Sequence, residues 1–141
     1  MTDVELSDIE LRLKKYSIEN QNLLKFKKLV KIDSTNVDLI CIDYSDKLFL
    51  SISTNDRFGS VLFAKSEKVS GLAERIFTIK QLFGQSEITL EVFSRSLAEK
   101  LYKLFSIEKP ILLSIGIKKD QLENLNLFKA IEKNILELFR D

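Results

Sequence analysis

The strands written into this chain are apolar on both faces, and only two stretches read as helices able to cover them. Across residues 37–43, Val37, Leu39 and Cys41 alternate with Ile40 and Ile42, so each face is apolar. The same holds in residues 47–52, with Leu48, Leu50 and Ile52 against Phe49, and in residues 60–64, with Val61 and Phe63 against Leu62. An antiparallel sheet with one wet face alternates apolar and polar residues, so a double-sided pattern requires cover on both sides. Helices supply one cover. Another protein chain is the natural source of the second.

The chain's 141 residues fit one domain spanning 1–141, and at that length folding buries roughly 68% of the surface exposed by the unfolded chain. With 22 Lys+Arg against 21 Asp+Glu, a net charge of +1 provides no global field to draw in nucleic acid or an anionic membrane. The single cysteine, Cys41, lies in an apolar run and has no partner for an internal disulfide. It reads as a small buried hydrophobe in a reducing compartment. The first residues are acidic rather than basic, and no apolar run approaches the ~18 residues of a membrane span. The expectation is a soluble protein of the cytoplasm, shared with the nucleus, with no membrane partner.

The absences narrow the chemistry. There is no histidine, which removes the usual general base near neutral pH, the Ser/His and Cys/His nucleophile pairs and the commonest metal ligand. The four glycines, Gly59, Gly71, Gly84 and Gly116, form no phosphate-cradling motif. Carboxylates such as Asp38, Asp43, Glu87 and Glu91 sit among lysines and read as solvated charges. No catalytic residue, cofactor or metal site is expected. An enzyme would need a histidine-free site built from scattered Asp, Lys, Tyr or Cys41.

Along the chain, Ile9, Leu11 and Leu13 alternate with charged residues as in an edge strand, and the same stretch also suits a short helix. Residues 24–32 form an extended basic segment, in which Lys25, Lys27, Lys28 and Lys31 surround Phe26. A lysine-blunted edge strand explains it. The same residues would also suit a small nucleic-acid-binding domain, with cations for phosphates and an aromatic for a base. Tyr44, Ser45, Asp46 and Lys47 make a turn between apolar runs, predicting a β-hairpin, and residues 54–57 make another. Residues 65–71 read as a polar loop. Arg75–Phe83 reads as a strand closed by Gly84, with Phe77, Ile79 and Phe83 on one face and Ile76 and Leu82 on the other. Residues 85–93 carry a strand-like alternation and also suit the approach to a helix.

Ser96 and Glu99 form an S-x-x-E capping box, predicting a helix start there, with Leu97, Leu101, Leu104 and Phe105 on its apolar stripe. Pro110, the only proline, suits the start of a strand in which Ile111, Leu113, Ile115 and Ile117 lie under a helix. A last helix runs over residues 126–139 with Phe128, Ile131, Ile135, Leu138 and Phe139 inward and Lys129, Glu132, Lys133 and Glu137 outward. The sum is an α+β single domain: about six mainly antiparallel, mainly hairpin-connected strands, two helices on one sheet face, and the other face left for a partner.

Several of these segments, taken together, resemble a known family. They are Lys47-Leu48-Phe49-Leu50-Ser51-Ile52, Leu82-Phe83-Gly84, Ser96-Leu97-Ala98-Glu99-Lys100-Leu101, Pro110-Ile111-Leu112-Leu113-Ser114 and Ala130-Ile131-Glu132-Lys133-Asn134-Ile135. Spaced over residues 37–139, they are similar to the proteasome assembly chaperone 4 family, from which the region before Val37 and the residues between Gly84 and Ser96 depart. The resemblance implies a six-stranded antiparallel sheet with helices on one side. It also implies a heterodimer with a proteasome assembly chaperone 3-like protein, binding to proteasome subunit alpha type-5, and ordering of the alpha ring of the 20S core particle without chemistry.

On that reading the partner surface is the set of strand residues opposite the helix-covered face. If Ile111, Leu113 and Ile115 lie under helices, Leu112 and Ser114 look toward the partner, joined by Ile40, Ile42 and Phe49. A slip of one residue in register would exchange the two sets. Contacts to the ring subunit are expected from loops at one end, through Tyr44, Arg57 and Phe58. Besides the nucleic-acid reading, a trafficking adaptor with a sheet and terminal helices is the alternative, since architecture does not fix function.

Overall fold

Six segments among the described residues take up the extended, period-two conformation. The structure, a computed structural model, describes residues 23–54 and 59–141, so the pattern at Ile9, Leu11 and Leu13 lies outside the described residues. The strands are β1 (Leu24–Ile32), β2 (Thr35–Asp43), β3 (Leu48–Thr54), β4 (Ser60–Lys68), β5 (Arg75–Phe83) and β6 (Ile111–Gly116). Helix α1 (Ile88–Phe105) stands between β5 and β6, and α2 (Leu125–Arg140) follows β6 after a short 3-10 turn at Lys119–Gln121. This is a mostly antiparallel sheet with two helices among the described residues.

The spatial order is β1-β2-β3-β6-β4-β5. The first three strands form a meander, joined through Asp33 and through the Tyr44 turn, where the Tyr44 N–H donates to the Lys47 carbonyl at 3.0 Å. β3 and β4, consecutive in the chain, do not pair. Instead β6 enters between them, parallel to β3 and antiparallel to β4, with Leu113 opposite both Leu50 and Leu62. Parallel neighbours need a long crossover, and α1 supplies it by carrying the chain from the β5 edge back to the centre. Pro110 stands just ahead of β6, where a missing N–H removes no ladder bond, and its carbonyl accepts from Leu48 N at 2.8 Å.

Gly59 and Gly84 make the tight passages around this centre. A Cβ on Gly59 would sit 2.4 Å from the Ile115 carbonyl, and Gly84, at φ 92°, has room for none beside Ser60. β4 is longer than the sequence indicates: Lys65–Lys68 continue the strand rather than forming a loop, because they pair with Thr78 through Arg75 of β5. A register shift between Val61 and Leu62 then places Phe83 opposite Val61, so Phe83 leaves the face shared by Phe77 and Ile79.

Both helices lie on one face. Leu97 and Leu101 of α1 and Ile131 and Ile135 of α2 are fully buried over Leu39, Leu50, Leu62, Leu113 and Ile115 of the sheet. The helices run side by side in the same direction. Phe93 meets Phe128 at 5.3 Å near their starts, and Phe105 meets Phe139 at 5.8 Å near their ends. Phe139 also takes Phe26 of β1 edge-on at 5.4 Å, closing the core over the sheet's first strand.

The capping box at Ser96 and Glu99 does not start a helix. α1 begins at Ile88 behind Glu87, which makes no side-chain cap, and Ser96 lies in its interior, donating to Glu132 Oε2 at 3.1 Å. Leu90 and Phe93 continue the buried stripe of Leu97 and Leu101 toward the amino end, and burial of an amphipathic face outweighs a local capping signal. Leu104, expected inside, is 53% exposed, one step off that stripe. Glu132, expected outside, is buried between the helices, where Lys100 pairs with it. α2 itself opens with an Asn124 side-chain cap on Leu127 N.

Two substitutions test this packing. Leu113→Ala, at the junction of β3, β6 and β4, lowers unfolding stability by about 2–5 kcal/mol in a urea titration. Ser94, buried on the inner side of α1, has a hydroxyl without a hydrogen-bond partner among the described residues. Ser94→Ala therefore raises stability by about 1 kcal/mol, the reverse of the usual sign for a buried substitution.

Candidate protein-interaction surface

Register fixes which side chains look away from the helices. Ile42 lies opposite Phe49, Phe49 opposite Leu112, and Leu112 opposite Phe63, so one lateral row crosses β2, β3, β6 and β4 with an apolar residue on every strand. The adjacent row runs Ile40, Ser51, Ser114, Val61 and Phe83. Successive side chains on a strand alternate faces, so these rows stand opposite the buried set of Leu39, Cys41, Leu48, Leu50, Ile111, Leu113 and Leu62. No described element lies over them.

The five residues expected from the sequence, Ile40, Ile42, Phe49, Leu112 and Ser114, thus share the helix-free face. Their centre is already drier than an isolated strand. Phe49, Leu112 and Phe63 are half-buried by their neighbours, and Ser114, small and central, is buried. Val61, Phe63 and Phe83 complete the patch and were not among the expected residues. The two-sided pattern at Val61 and Phe63 was visible in the sequence; what placed them beside Leu112 was the insertion of β6. Phe83, 62% exposed at the β5 end, joins only through the register shift.

The edge strands bring charge beside further apolar residues, Leu29 on β1 and Ile76 on β5, each at least half exposed. Beyond Phe63 comes Lys80, and beyond Ile40 comes Lys27 on the β1 edge. An apolar centre with a polar rim is the anatomy of a protein–protein interface. Six strands about 4.8 Å apart and roughly 20 Å long present a projected face on the order of 500 Å² before side-chain relief. Relief brings it toward the roughly 800 Å² per partner of a standard stable complex.

The loop residues divide. Tyr44 sits on the β2–β3 turn, 36% exposed, with Lys47 Nζ 5.5 Å from its ring centre. Its carbonyl accepts from Lys109 Nζ at 2.9 Å, and Lys109 also pairs with Asp43, tying the turn to the segment that leads into β6. Arg57 and Phe58 lie outside the described residues. The described chain leaves β3 at Thr54 and resumes at Gly59, at the opposite end of that strand from the Tyr44 turn.

The residues of the other readings are otherwise engaged. Phe26, the aromatic of the basic segment, packs edge-on against Phe139 and offers no free ring for a base, and Lys25 Nζ lies 5.2 Å from that same Phe139 ring. Lys27 and Lys31 project from the face opposite Phe26. Cys41 is fully buried under the helices, and burial, only partly offset by Lys25, pushes its thiol from 9.0 up to about 12. No group of three or more His, Cys, Asp or Glu with metal-binding geometry occurs among the described residues, and no described helix is long and apolar enough to cross a membrane.

Cys41 also predicts a pH dependence. Its folded pKa lies above the unfolded value, so its contribution to stability is complete below about pH 9 and is lost progressively as pH rises toward 12. A thiol-reactive disulfide reagent at pH 8 labels the native protein only at its unfolding rate, and labels it at once in denaturant. Immediate native labelling would contradict the buried placement.

Known proteins resemble the chain at two levels. The family model described as proteasome assembly chaperone 3 matches residues 50–136, more than half of the chain. A solved structure described as the crystal structure of a novel chaperone complex for yeast 20S proteasome assembly matches with a TM-score of 0.60 at 12% sequence identity. The match covers 81% of this chain and 96% of that one, and it is a likeness of fold. No curated protein sequence matches.

Proposed function

The chain belongs to the proteasome assembly chaperone 3 family, and on that premise we propose that it is a non-enzymatic chaperone of 20S core particle assembly that works as half of a heterodimer. The observation that carries the reading is the uncovered apolar face. Ile42, Phe49, Leu112 and Phe63 form an unbroken row across four strands, on a side of the sheet that this chain's described helices do not reach. Fully burying an exposed side chain of this kind contributes roughly 1.5–3 kcal/mol; these four are already half-buried and contribute less each, so it is the unbroken row that favours a lasting pair.

The proposed occupant of that face is a structurally similar small chaperone, laid sheet against sheet. The pair fills the chaperone 3 and chaperone 4 places. The matched family model is that of the chaperone 3 sibling. The residue pattern from Lys47 to Ile135 is what supports the chaperone 4 place for this chain, with a chaperone 3-like protein opposite. The pair binds a proteasome subunit of the alpha type, alpha type-5, and promotes closure of the alpha ring. Contact with the ring subunit falls to loops at the strand ends, of which the Tyr44 turn is described and the Arg57–Phe58 segment is not. The likeness to a yeast chaperone complex supports the architecture on which this arrangement rests.

Affinity capture of the tagged chain from native extract, followed by a high-salt wash and mass spectrometry, tests the reading. The expected result is one similarly small protein together with alpha-type subunits, without mature beta subunits. Phe49→Asp and Leu112→Asp, each placing a charge in the centre of the row, are expected to leave the circular dichroism spectrum and melting curve unchanged while losing the small partner. Retention of that partner by both folded variants would remove the sheet face from the interface.

A further inference from the structure

A second surface lies on the other side of the domain, where α1 and α2 run side by side. The seam between them opens outward into a groove of about 400 Å³ whose amino-terminal end is floored by Phe93 and Phe128. Its rim there is aliphatic and wet: Ile88 is 79% exposed, Val92 61% and Leu125 63%. Three exposed aliphatic side chains converging from two helices are unusual on a surface that is otherwise charged. They belong to neither the core nor the sheet face.

Toward the carboxyl-terminal end the same seam changes character. Lys129, Lys133 and Arg140 line its continuation along α2, and none of the three has an ion pair among the described residues. Lys129 and Lys133 stand four apart on one helix face, where like charges repel and an outside anion relieves the repulsion. The groove's other ionic groups are accounted for. Glu132 is occupied by Lys100 and Ser96, which leaves Glu137 as the remaining carboxylate on this stretch. The seam is therefore aliphatic at one end and net positive at the other.

From this juxtaposition we propose that the α1–α2 groove is a docking site for an amphipathic acidic helix of a partner protein, distinct from the partner on the sheet face. The occupant is specified by spacing. Eight residues separate Leu125 from Lys133, which at 1.5 Å per residue is about 12 Å along the groove. A helix lying in the seam therefore carries two aliphatic residues at i and i+4, seated against Val92 and Leu125, and carboxylates four and eight residues beyond the second of these, beside Lys129 and Lys133. The helix-in-groove mode uses this kind of anchor spacing, and the lysines set its direction and register. The inference does not rest on the identity of the sheet-face partner, because the two surfaces share no residue.

The test uses the full chain and two fluorescein-labelled helical peptides. One carries leucines at i and i+4 and glutamates at i+8 and i+12; the other is identical but for lysines in place of the glutamates. Saturable anisotropy binding of the acidic peptide, falling with salt, is expected, with the basic peptide weaker by about tenfold or more. Lys129→Glu together with Lys133→Glu is expected to invert that preference. Val92→Ser is expected to weaken both peptides while leaving the melting curve unchanged. Phe49→Asp, on the sheet face, is expected to change neither, which separates a failure of this proposal from a failure of the pairing reading. Equal binding of the two peptides, an unchanged preference in the charge-reversed variant, or no saturable binding at all would overturn the proposal. So would acidic-peptide binding that appears only after deletion of residues 2–11, since the chain's own acidic stretch would then be the occupant.

Discussion

Everything in this fold depends on the central position of β6. Until that strand arrives, the chain is two separate pieces, the β1-β2-β3 meander and the β4-β5 hairpin, with no ladder between them. β6 joins them by pairing with β3 on one side and β4 on the other, and Leu113 fills the point where all three strands meet under the helices. The constraint reaches back along the sequence. Gly59 lacks a side chain because the chain must pass the Ile115 carbonyl, and the α1 crossover exists because β3 and β6 are parallel. A sheet closed by its last strand has long-range contacts at its core, which costs loop-closure entropy before packing rewards it.

The same insertion decides what the two faces can do. Under the helices, β6 contributes Ile111, Leu113 and Ile115, and the core closes over them. On the other side it contributes Leu112 and Ser114, which bridge Phe49 of the meander to Phe63 of the hairpin. Without β6 the apolar residues of the open face would be two small clusters. With it they form one surface. Helix cover is asymmetric because both connections flanking β6 pass over the same side: α1 arrives and α2 leaves there, and nothing among the described residues is left for the opposite side.

Much of this was legible in the residues themselves. The two-sided apolar pattern of residues 37–43, 47–52 and 60–64 identified the strands and their helix-covered set, and the alternation in residues 111–117 put Leu112 and Ser114 on the face away from the helices. What local signals did not carry was pairing. A turn at residues 54–57 reads the same whether or not its flanking strands become neighbours, so hairpin connection was the natural expectation and the entry of β6 was invisible. The helix start shows the same limit from another side. Ser96 and Glu99 satisfy the local rule for a capping box, yet Leu90 and Phe93 find the sheet beneath them and extend α1 by two turns. Glu132 looked solvated because its neighbours in sequence are charged, and only the seam between the helices brings Ser96 and Lys100 to it.

The arrangement also keeps the two proposed binding surfaces apart. The sheet lies between the open face and the helical seam, and its central side chains alternate strictly: Phe49 outward, Leu48 and Leu50 inward; Leu112 outward, Ile111 and Leu113 inward. A partner on the open face touches the first set, and a helix in the seam touches Val92, Leu125 and the lysines of α2, which rest on the second set through the core. The buried layer between them is close-packed aliphatic and aromatic, and its described polar contact, Glu132 with Ser96 and Lys100, lies at the helical seam and not against the open face. On these proposals, occupation of one surface leaves the other free. On the two proposals made above, the domain would hold two proteins on opposite sides of one sheet by geometry, with no switch between conformations.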